Sequence, residues 1–233
     1  MSDYGFMSWD PDETFMPVSS LYRNLVIVKK GTSITTTPPS DTSAIKWNHD
    51  MGLGGAGLDV GISPIIVTRC TVCPACALVA SGTPGGAWNW PVYTKAGSGI
   101  SVDYWIFDQP ANGLMYDTGS ARLENYDGTG AKTFDSRMRP MNIREQRAYG
   151  GTGEDFSKTA TYESGHLWAV GQCVGWGGAG WKSNVNWNFE LCYKATAAGF
   201  VYEGVRTFGR AALTNTGPFA VNQSLFIVDV TGL

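Results

Sequence analysis

The chain has little charge, no long apolar run and almost no helical periodicity. Only 16% of its 233 residues are Asp, Glu, Lys or Arg, and the net charge is −3. A surface this poor in basic residues does not attract nucleic acid through bulk electrostatics. No apolar run approaches the roughly 18 residues that a membrane-spanning helix needs. We therefore expect a globular protein with no nucleic-acid partner and no membrane span.

The sequence also lacks a recognisable export signal. Residues 1–15 are acidic and aromatic, without the basic start and apolar centre of a signal peptide. The cysteine count is odd, at 5, which argues for free thiols rather than a disulfide framework. We therefore expect the chain to be made and folded in a cytoplasm.

Apolar and polar residues alternate along much of the chain, a pattern typical of strands with one buried face. In residues 184–193 the odd positions are apolar or aromatic, and the even positions hold three Asn, one Glu and one Cys. Residues 100–107 alternate in the same way, and residues 200–208 and 224–230 also favour strands. The continuously apolar residues 24–28 predict a strand that is buried on both faces.

Glycine-containing turns separate these strands. Asn112-Gly113 favours a tight hairpin within residues 109–113, since both residues tolerate positive φ. Asp127-Gly128 and Gly130 predict a second hairpin within residues 126–134. The Gly-rich residues 175–183 join two further strands.

Together these features predict an all-β fold of antiparallel strands. The architecture is a β-sandwich or jelly-roll-like body with long loops, or a partly closed barrel. We expect loops at residues 31–59 and a polar linker at residues 147–165. This places a β-sandwich body with an N-terminal assembly segment in residues 1–150, and a continuing β-meander, in the same or a second small domain, in residues 151–233.

Most motifs that could carry catalysis or bind a cofactor are weak. Residues 52–57 fit G-x-G-x-x-G, but Pro64 and the surrounding glycines oppose the helix that dinucleotide binding requires. The patterns G-x-S-x-G and H-E-x-x-H are absent. A distant Ser–His–Asp group is not excluded by sequence. We predict no cofactor and no enzymatic activity.

Three cysteines at spacing i, i+3 and i+6 form the one candidate metal site: Cys70, Cys73 and Cys76. Thiolates are soft ligands for zinc or an iron–sulfur cluster. The flanking residues are those of buried strands, however, and free cysteine is among the most buried residue types. We therefore favour core thiols over a metal site.

Two Trp-Gly segments, residues 87–91 and 175–181, are the candidate binding surfaces. Exposed aromatic side chains on turns stack on sugars or on partner proteins. The alternative is that the indoles fill the ends of the sandwich. The candidate residues are Trp88, Trp90, Trp176 and Trp181.

An aromatic–Asp–hydroxyl motif with an Arg shortly afterwards occurs in residues 115–122 and again in residues 133–139. The aromatic residue would be the last inward side chain of a strand, and the Asp and hydroxyl would accept backbone N–H groups in a turn. The Arg would pair with the Asp. We interpret the motif as a strand terminator rather than a catalytic site. Its residues are Tyr116, Asp117 and Thr118 in the first copy, and Phe134, Asp135, Ser136 and Arg137 in the second.

Two stretches resemble small virion proteins of tailed bacteriophages, found at the tail tip or tail fibre of siphophages. Residues 3–10, DYGFMSWD, match an opening pattern that contains Tyr4 and Gly5. Residues 125–143, NYDGTGAKTFDSRMRPMNI, match a later pattern that ends in F-D-S. The resemblance implies a β-sandwich virion component that assembles with other copies, and the long spacing between the stretches implies an inserted middle segment.

On this resemblance we expect a non-enzymatic structural protein at the tail tip or tail-fibre junction of a virion, made in the host cytoplasm. The expected partners are other tail proteins, further copies of the chain in a homo-oligomer such as a trimer, and a glycan or protein of the host surface. The alternative is a carbohydrate-binding or receptor-binding module that uses the Trp-rich loops.

Overall fold

The fold is seen in a computed structural model of the chain. The structure describes residues 5–9, 15–19, 24–35, 47–53, 64–77, 81–82, 88–95, 99–117, 122–151, 157–172, 179–182, 185–211 and 221–233, with side chains for a smaller set.

Most of these residues lie in strands. The strands are β1 Gly5–Trp9, β2 Phe15–Ser19, β3 Val26–Ile34, β4 Trp47–Leu53, β5 Ile65–Arg69, β6 Ala75–Ala77, β7 Ser81–Gly82, β8 Trp88–Thr94, β9 Ser101–Asp108, β10 Glu124–Tyr126, β11 Lys132–Asp135, β12 Asn142–Gly151, β13 Ser157–Thr161, β14 Trp168–Gln172, β15 Ala179–Lys182, β16 Val185–Thr196, β17 Gly199–Ala211 and β18 Val221–Asp229. A short 3-10 turn spans Pro110–Asn112. No helix in the described part of the chain has the length and apolar character that a membrane-crossing helix requires.

Two large antiparallel sheets form the body. The six-stranded sheet has the order β12-β18-β14-β5-β9-β3, and the eight-stranded sheet follows β13-β17-β16-β6-β8-β4 with β15 and β7 paired to β16 and β8. The hairpins β1–β2 and β10–β11 are separate two-stranded sheets. The prediction of an all-β antiparallel sandwich is confirmed, and the sheets do not close into a barrel.

The strand order repeats along the chain. In the first repeat, β3 and β4 are edge strands, β5 and β6 are inner strands, and β8 and β9 lie between them. In the second repeat, β12 and β13, β14 and β16, and β17 and β18 take the same places. Each repeat follows its own hairpin, β1–β2 or β10–β11. Apart from β7 and β15, the two large sheets therefore consist of two topologically equivalent repeats, each of which supplies three strands to each sheet.

The repeats meet at two short seams. One registered pair, Val170 with Thr68, joins β14 to β5, and another, Tyr193 with Ala75, joins β16 to β6. The buried Tyr193 hydroxyl also donates to the Val170 carbonyl at 2.9 Å and contacts the Thr68 hydroxyl. This one side chain therefore ties the eight-stranded sheet to both strands of the opposite seam.

The prediction that each strand buries only one of its faces is wrong for β9 and β16. Ile106 belongs to one buried cluster, and its neighbours Trp105 and Phe107 belong to another. Cys192 and Tyr193 on β16 are likewise both fully buried. Consecutive side chains of a strand point to opposite faces, so both faces are covered at these positions. The prediction that residues 24–28 form a strand buried on both faces holds for the consecutive buried residues Val26 and Ile27, whereas β3 begins only at Val26 and Val28 is partly buried.

Three local predictions differ from the structure. Residues 31–34 and 47–53, expected in a loop, belong to β3 and β4, and the expected linker at 147–165 contains parts of β12 and all of β13. Gly113 has φ −68 and no hairpin forms there, because the chain takes a 3-10 turn instead. The expected hairpin at Asp127–Gly130 is present, with Gly130 at φ 84.

Candidate functional site

Asp135 lies at the centre of a compact charged cluster at the end of β11. Its carboxylate is 1% exposed and accepts hydrogen bonds from the Arg137 backbone N–H at 3.0 Å, Arg137 Nε at 2.9 Å and Arg137 Nη2 at 2.7 Å. Lys132 Nζ donates at 2.7 Å to Asp135 Oδ2, the oxygen that also accepts from Arg137 Nη2. The pairing of Arg with Asp that the motif predicted is present in this second copy.

Glu124 completes the cluster from the partner strand of the hairpin. Its carboxylate lies 2.7 Å from Lys132 Nζ and 3.0 Å from Arg137 Nη2. The Arg137 guanidinium, followed by the Lys132 ammonium, holds the pKa of Asp135 well below its usual range. The Lys132 ammonium likewise lowers the pKa of Glu124. Both carboxylates therefore stay ionised and bound, which fits a structural role.

The segment that follows Asp135 is fastened to the first repeat by backbone hydrogen bonds. Ile27 N–H donates to the Arg139 carbonyl at 3.0 Å, and Met141 N–H donates to the Leu25 carbonyl at 2.7 Å. On its other side, Tyr116 N–H donates to the Arg137 carbonyl at 2.9 Å. The motif therefore terminates β11 and docks the second hairpin onto the start of β3.

The remaining motif residues serve the same turn. Ser136 Oγ accepts the Leu123 N–H at 3.0 Å, and Phe134 is buried, as the strand-terminator interpretation expects. In the first copy, Tyr116 is partly buried with Lys30 and Arg139 over its ring, and Asp117 is exposed. Thr118 lies outside the described residues.

Of the four Trp residues proposed as binding candidates, the structure describes the side chain of Trp90. Trp90 is 2% exposed within a buried cluster, as the alternative that the indoles fill the sandwich expects, and its ring is not accessible to a ligand in this structure. The side chains of Trp88 and Trp181 fall outside the described set, as does Trp176 entirely. Tyr4 also lies outside it, and Gly5 begins β1.

The cysteines of the candidate metal site are all buried, and none of them is in a disulfide. Cys70, Cys73 and Cys76 lie at the seam side of the first repeat, and Cys192 faces Cys76 with 3.1 Å between the sulfur atoms. A hydrogen bond from the Cys73 thiol lowers the pKa of Cys70 to about 6. Among the described side chains, no three His, Cys, Asp or Glu residues converge to hold a metal ion.

An open groove with a cavity volume of about 590 Å³ lies between the edge strands β12 and β13. Tyr162 is central to it: its hydroxyl donates to Glu145 at 3.1 Å, and the Arg147 guanidinium sits 5.5 Å from its ring centroid. Burial raises the pKa of Tyr162 to about 12. Arg144 and Glu163 pair at 3.0 Å at the rim. Fixed charges beside an aromatic ring suit a polar, uncharged ligand.

Sequence reasoning missed this groove. Its residues come from β12, from the start of β14 and from a segment that was interpreted as a linker, and no local motif connects them. The charged residues Arg144, Glu145 and Arg147 within one predicted segment were the signal that the sequence offered.

A second polar pair lies next to the groove. His166 Nδ1 lies 2.6 Å from Asp229 Oδ2, and the His166 ring stacks on Trp168, 5.2 Å between centroids. Asp229 also accepts the Thr231 N–H at 2.9 Å. These contacts fasten the C-terminal turn to the start of β14.

Comparisons of the chain with models of known protein families, with curated proteins and with solved structures found no match.

Proposed function

We propose that the chain is a non-enzymatic structural component of a tailed-phage virion, at the tail tip or tail-fibre junction. One observation carries the proposal. The two stretches that resemble phage virion proteins, residues 3–10 and 125–143, contain strands of the equivalent hairpins β1–β2 and β10–β11, and β2 lies beside β11. The stretches are distant in sequence, yet each contributes to one of the two equivalent hairpins, and these hairpins contact each other through β2 and β11.

The ion-pair cluster supports a scaffolding role. Lys132 and Arg137 each pair with both Asp135 and Glu124, so these charges are engaged in holding the second hairpin. A network of this kind fixes geometry and leaves its carboxylates ionised. In a virion part, a rigid hairpin of this type would present a constant surface to neighbouring subunits.

The edges of the sheets would supply assembly contacts. Ile34 at the end of β3 and Ile143 at the start of β12 are large apolar side chains that are 55% and 52% exposed on edge strands. Edge strands carry unpaired backbone groups that other chains can pair with. We propose that these edges contact other tail proteins or further copies of the chain in a homo-oligomer.

The test is to locate the chain in particles. Virions from a phage that encodes it are purified, digested for mass spectrometry and labelled with a gold-conjugated antibody against the chain. We expect the chain in the particles and the label at the distal end of the tail. Absence from purified particles that contain the capsid and tail-tube proteins would contradict the proposal.

A second candidate function is binding of a host-surface glycan, and the groove around Tyr162 is the observation that favours it. The matched pair of variants is Arg144→Ala in the groove and Arg122→Ala outside it, since both arginines are exposed and pair with a glutamate at about the same distance. Glycan-array binding that is lost in Arg144→Ala and kept in Arg122→Ala would support this function. Equal binding by both variants, or no binding by the parent, would exclude the groove.

A further inference from the structure

Cys76 and Cys192 face each other across the seam between the two repeats. Tyr193 on β16 is paired with Ala75 on β6 in antiparallel register. The residue before Tyr193, Cys192, therefore lies opposite the residue after Ala75, Cys76. Their sulfur atoms are 3.1 Å apart and both side chains are 0% exposed. Neither cysteine is in a disulfide in this structure.

The geometry is close to that of a disulfide. Directly opposed residues of an antiparallel pair have Cα atoms about 4.5 or 5.5 Å apart, within the range of about 4.4–6.8 Å that disulfides span. The S–S bond is about 2.05 Å long. The two sulfurs therefore need to approach by about 1 Å, which side-chain rotation supplies without moving the strands.

A disulfide between Cys76 and Cys192 would link the two repeats covalently. In the described residues, the repeats share the eight-stranded sheet only through the short contact of β6 with β16, which has one registered pair. A covalent link at this contact would join residue 76 to residue 192 and constrain the long segment of unfolded chain between them. Disulfides that close long segments stabilise chiefly by that constraint.

We propose that Cys76 and Cys192 are a redox pair that forms a disulfide across the seam when the protein meets a peroxide. One thiolate attacks hydrogen peroxide, its sulfur is oxidised to a sulfenic acid, and hydroxide leaves. The second thiolate then attacks that sulfur, forming the S–S bond and releasing a second hydroxide. With the two thiol protons counted, two thiols and one peroxide give one disulfide and two waters.

The proposal is independent of the proposed function, because the cross-link is a property of the purified chain. Both thiols are enclosed, so we expect the reaction to wait for local opening of the seam and to be accelerated by mild urea. The competing pair is Cys70 with Cys73, which are three residues apart and also hydrogen-bonded. Any test has to separate the two pairs.

The test uses the full chain with Cys70, Cys73 and Cys173 changed to Ser, which leaves only the proposed pair. After hydrogen peroxide treatment we expect loss of both titratable thiols, a non-reduced peptide linking Cys76 to Cys192, and a melting temperature raised by about 5–15 °C that dithiothreitol reverses. Adding Cys192→Ser to this background is the control, and it should show neither the linked peptide nor the shift.

Peptide mapping of the oxidised parent chain covers the case in which the triple variant fails to fold. The Cys76–Cys192 peptide should be present there as well. Two free thiols that persist in the folded triple variant, or oxidation of the parent that yields only Cys70–Cys73 or linkage to Cys173, would overturn the proposal.

Discussion

Gly113 packs directly against Met138, so that a β-carbon on Gly113 would lie 2.6 Å from the Met138 sulfur and equally close to a methyl group of Val26. The glycine therefore has a packing role, at a φ that any residue adopts. Because Gly113 has no side chain, the backbone after the 3-10 turn packs closely between Val26 at the start of β3 and Met138 after the second hairpin.

Gly113→Ala should destabilise the protein by about 1–3 kcal/mol, because the added methyl group forces Met138 and Val26 to move. Thermal or urea unfolding measures the change. Gly128→Ala is the matched control, since a β-carbon there meets nothing within 4 Å and the residue lies in an exposed turn. Equal effects of the two substitutions would contradict the packing argument.

Asp135→Asn should lower the free energy of unfolding by about 3 kcal/mol, because it leaves Lys132 and Arg137 without their buried carboxylate. Urea unfolding at pH 7 gives the value. The comparison variant is Glu163→Gln, which breaks the exposed pair with Arg144 and should cost at most about 0.5 kcal/mol. A harmless Asp135→Asn would show that the cluster does not hold the hairpin.

The stability contributed by Asp135 should depend on pH in the acidic range. The pKa of Asp135 is lowered in the folded chain, first by Arg137, while the unfolded value is about 3.9. The folded state therefore binds the proton more weakly, and this contribution is complete above the unfolded pKa and decreases as the pH falls below about 4. Between pH 6 and pH 2, the free energy of unfolding measured with urea should decrease less steeply for Asp135→Asn than for the parent.

Tyr193→Phe should destabilise the fold by about 1–3 kcal/mol, because the buried Val170 carbonyl and Thr68 hydroxyl lose their shared partner. Tyr126→Phe, on an exposed tyrosine, is the control and should be nearly neutral. The double variant Tyr193→Phe with Thr68→Val should recover part of the loss, since one unpaired hydroxyl is removed with it. Additive effects of the two substitutions would argue against a shared hydrogen bond.

Cys70 should titrate as a thiolate with a midpoint near pH 6, because the Cys73 thiol donates a hydrogen bond that lowers the pKa to about 6. Thiolate absorbance in the ultraviolet, measured on a variant in which Cys70 and Cys73 are the only cysteines, records this without requiring reagent access. Cys73→Ala should remove the donor and move the midpoint toward the ordinary value, whereas Cys73→Ser keeps a hydroxyl donor and should preserve the lowered midpoint. A midpoint above pH 8 in the parent pair would refute the hydrogen bond.

Local sequence patterns predicted many of the strands, but they did not predict which distant strands pair with one another. The hairpin at Asp127–Gly130 and the bond from Arg137 to Asp135 depend on residues close in sequence, so composition and spacing suffice. The repeat in strand order depends on pairings such as Val170 with Thr68, far apart in the chain, and no short pattern encodes it. Gly113 was misjudged because a tight turn and a tight packing site both favour glycine.

The candidate site divides in the same way. The Asp135 motif was found from sequence because its main partners lie within three residues. Glu124 joins it only through the hairpin register, and Tyr162 meets Glu145 only when β12 and β13 form opposite edges. Trp90 was misassigned because an indole in a Gly-rich context looks accessible, whereas β8 carries it into the core.

The repeated strand order has a consequence for stoichiometry. A single chain already carries two near-equivalent hairpins, one ahead of each repeat. In the homo-oligomer proposed above, the number of hairpins would therefore be twice the number of chains. A ring of these chains would match one neighbouring component with the same rotational symmetry as the ring and another with twice that symmetry. Sequence differences between the two hairpins, such as Asp135 at the end of β11 where β2 ends in Ser19, would let alternate positions select different neighbours.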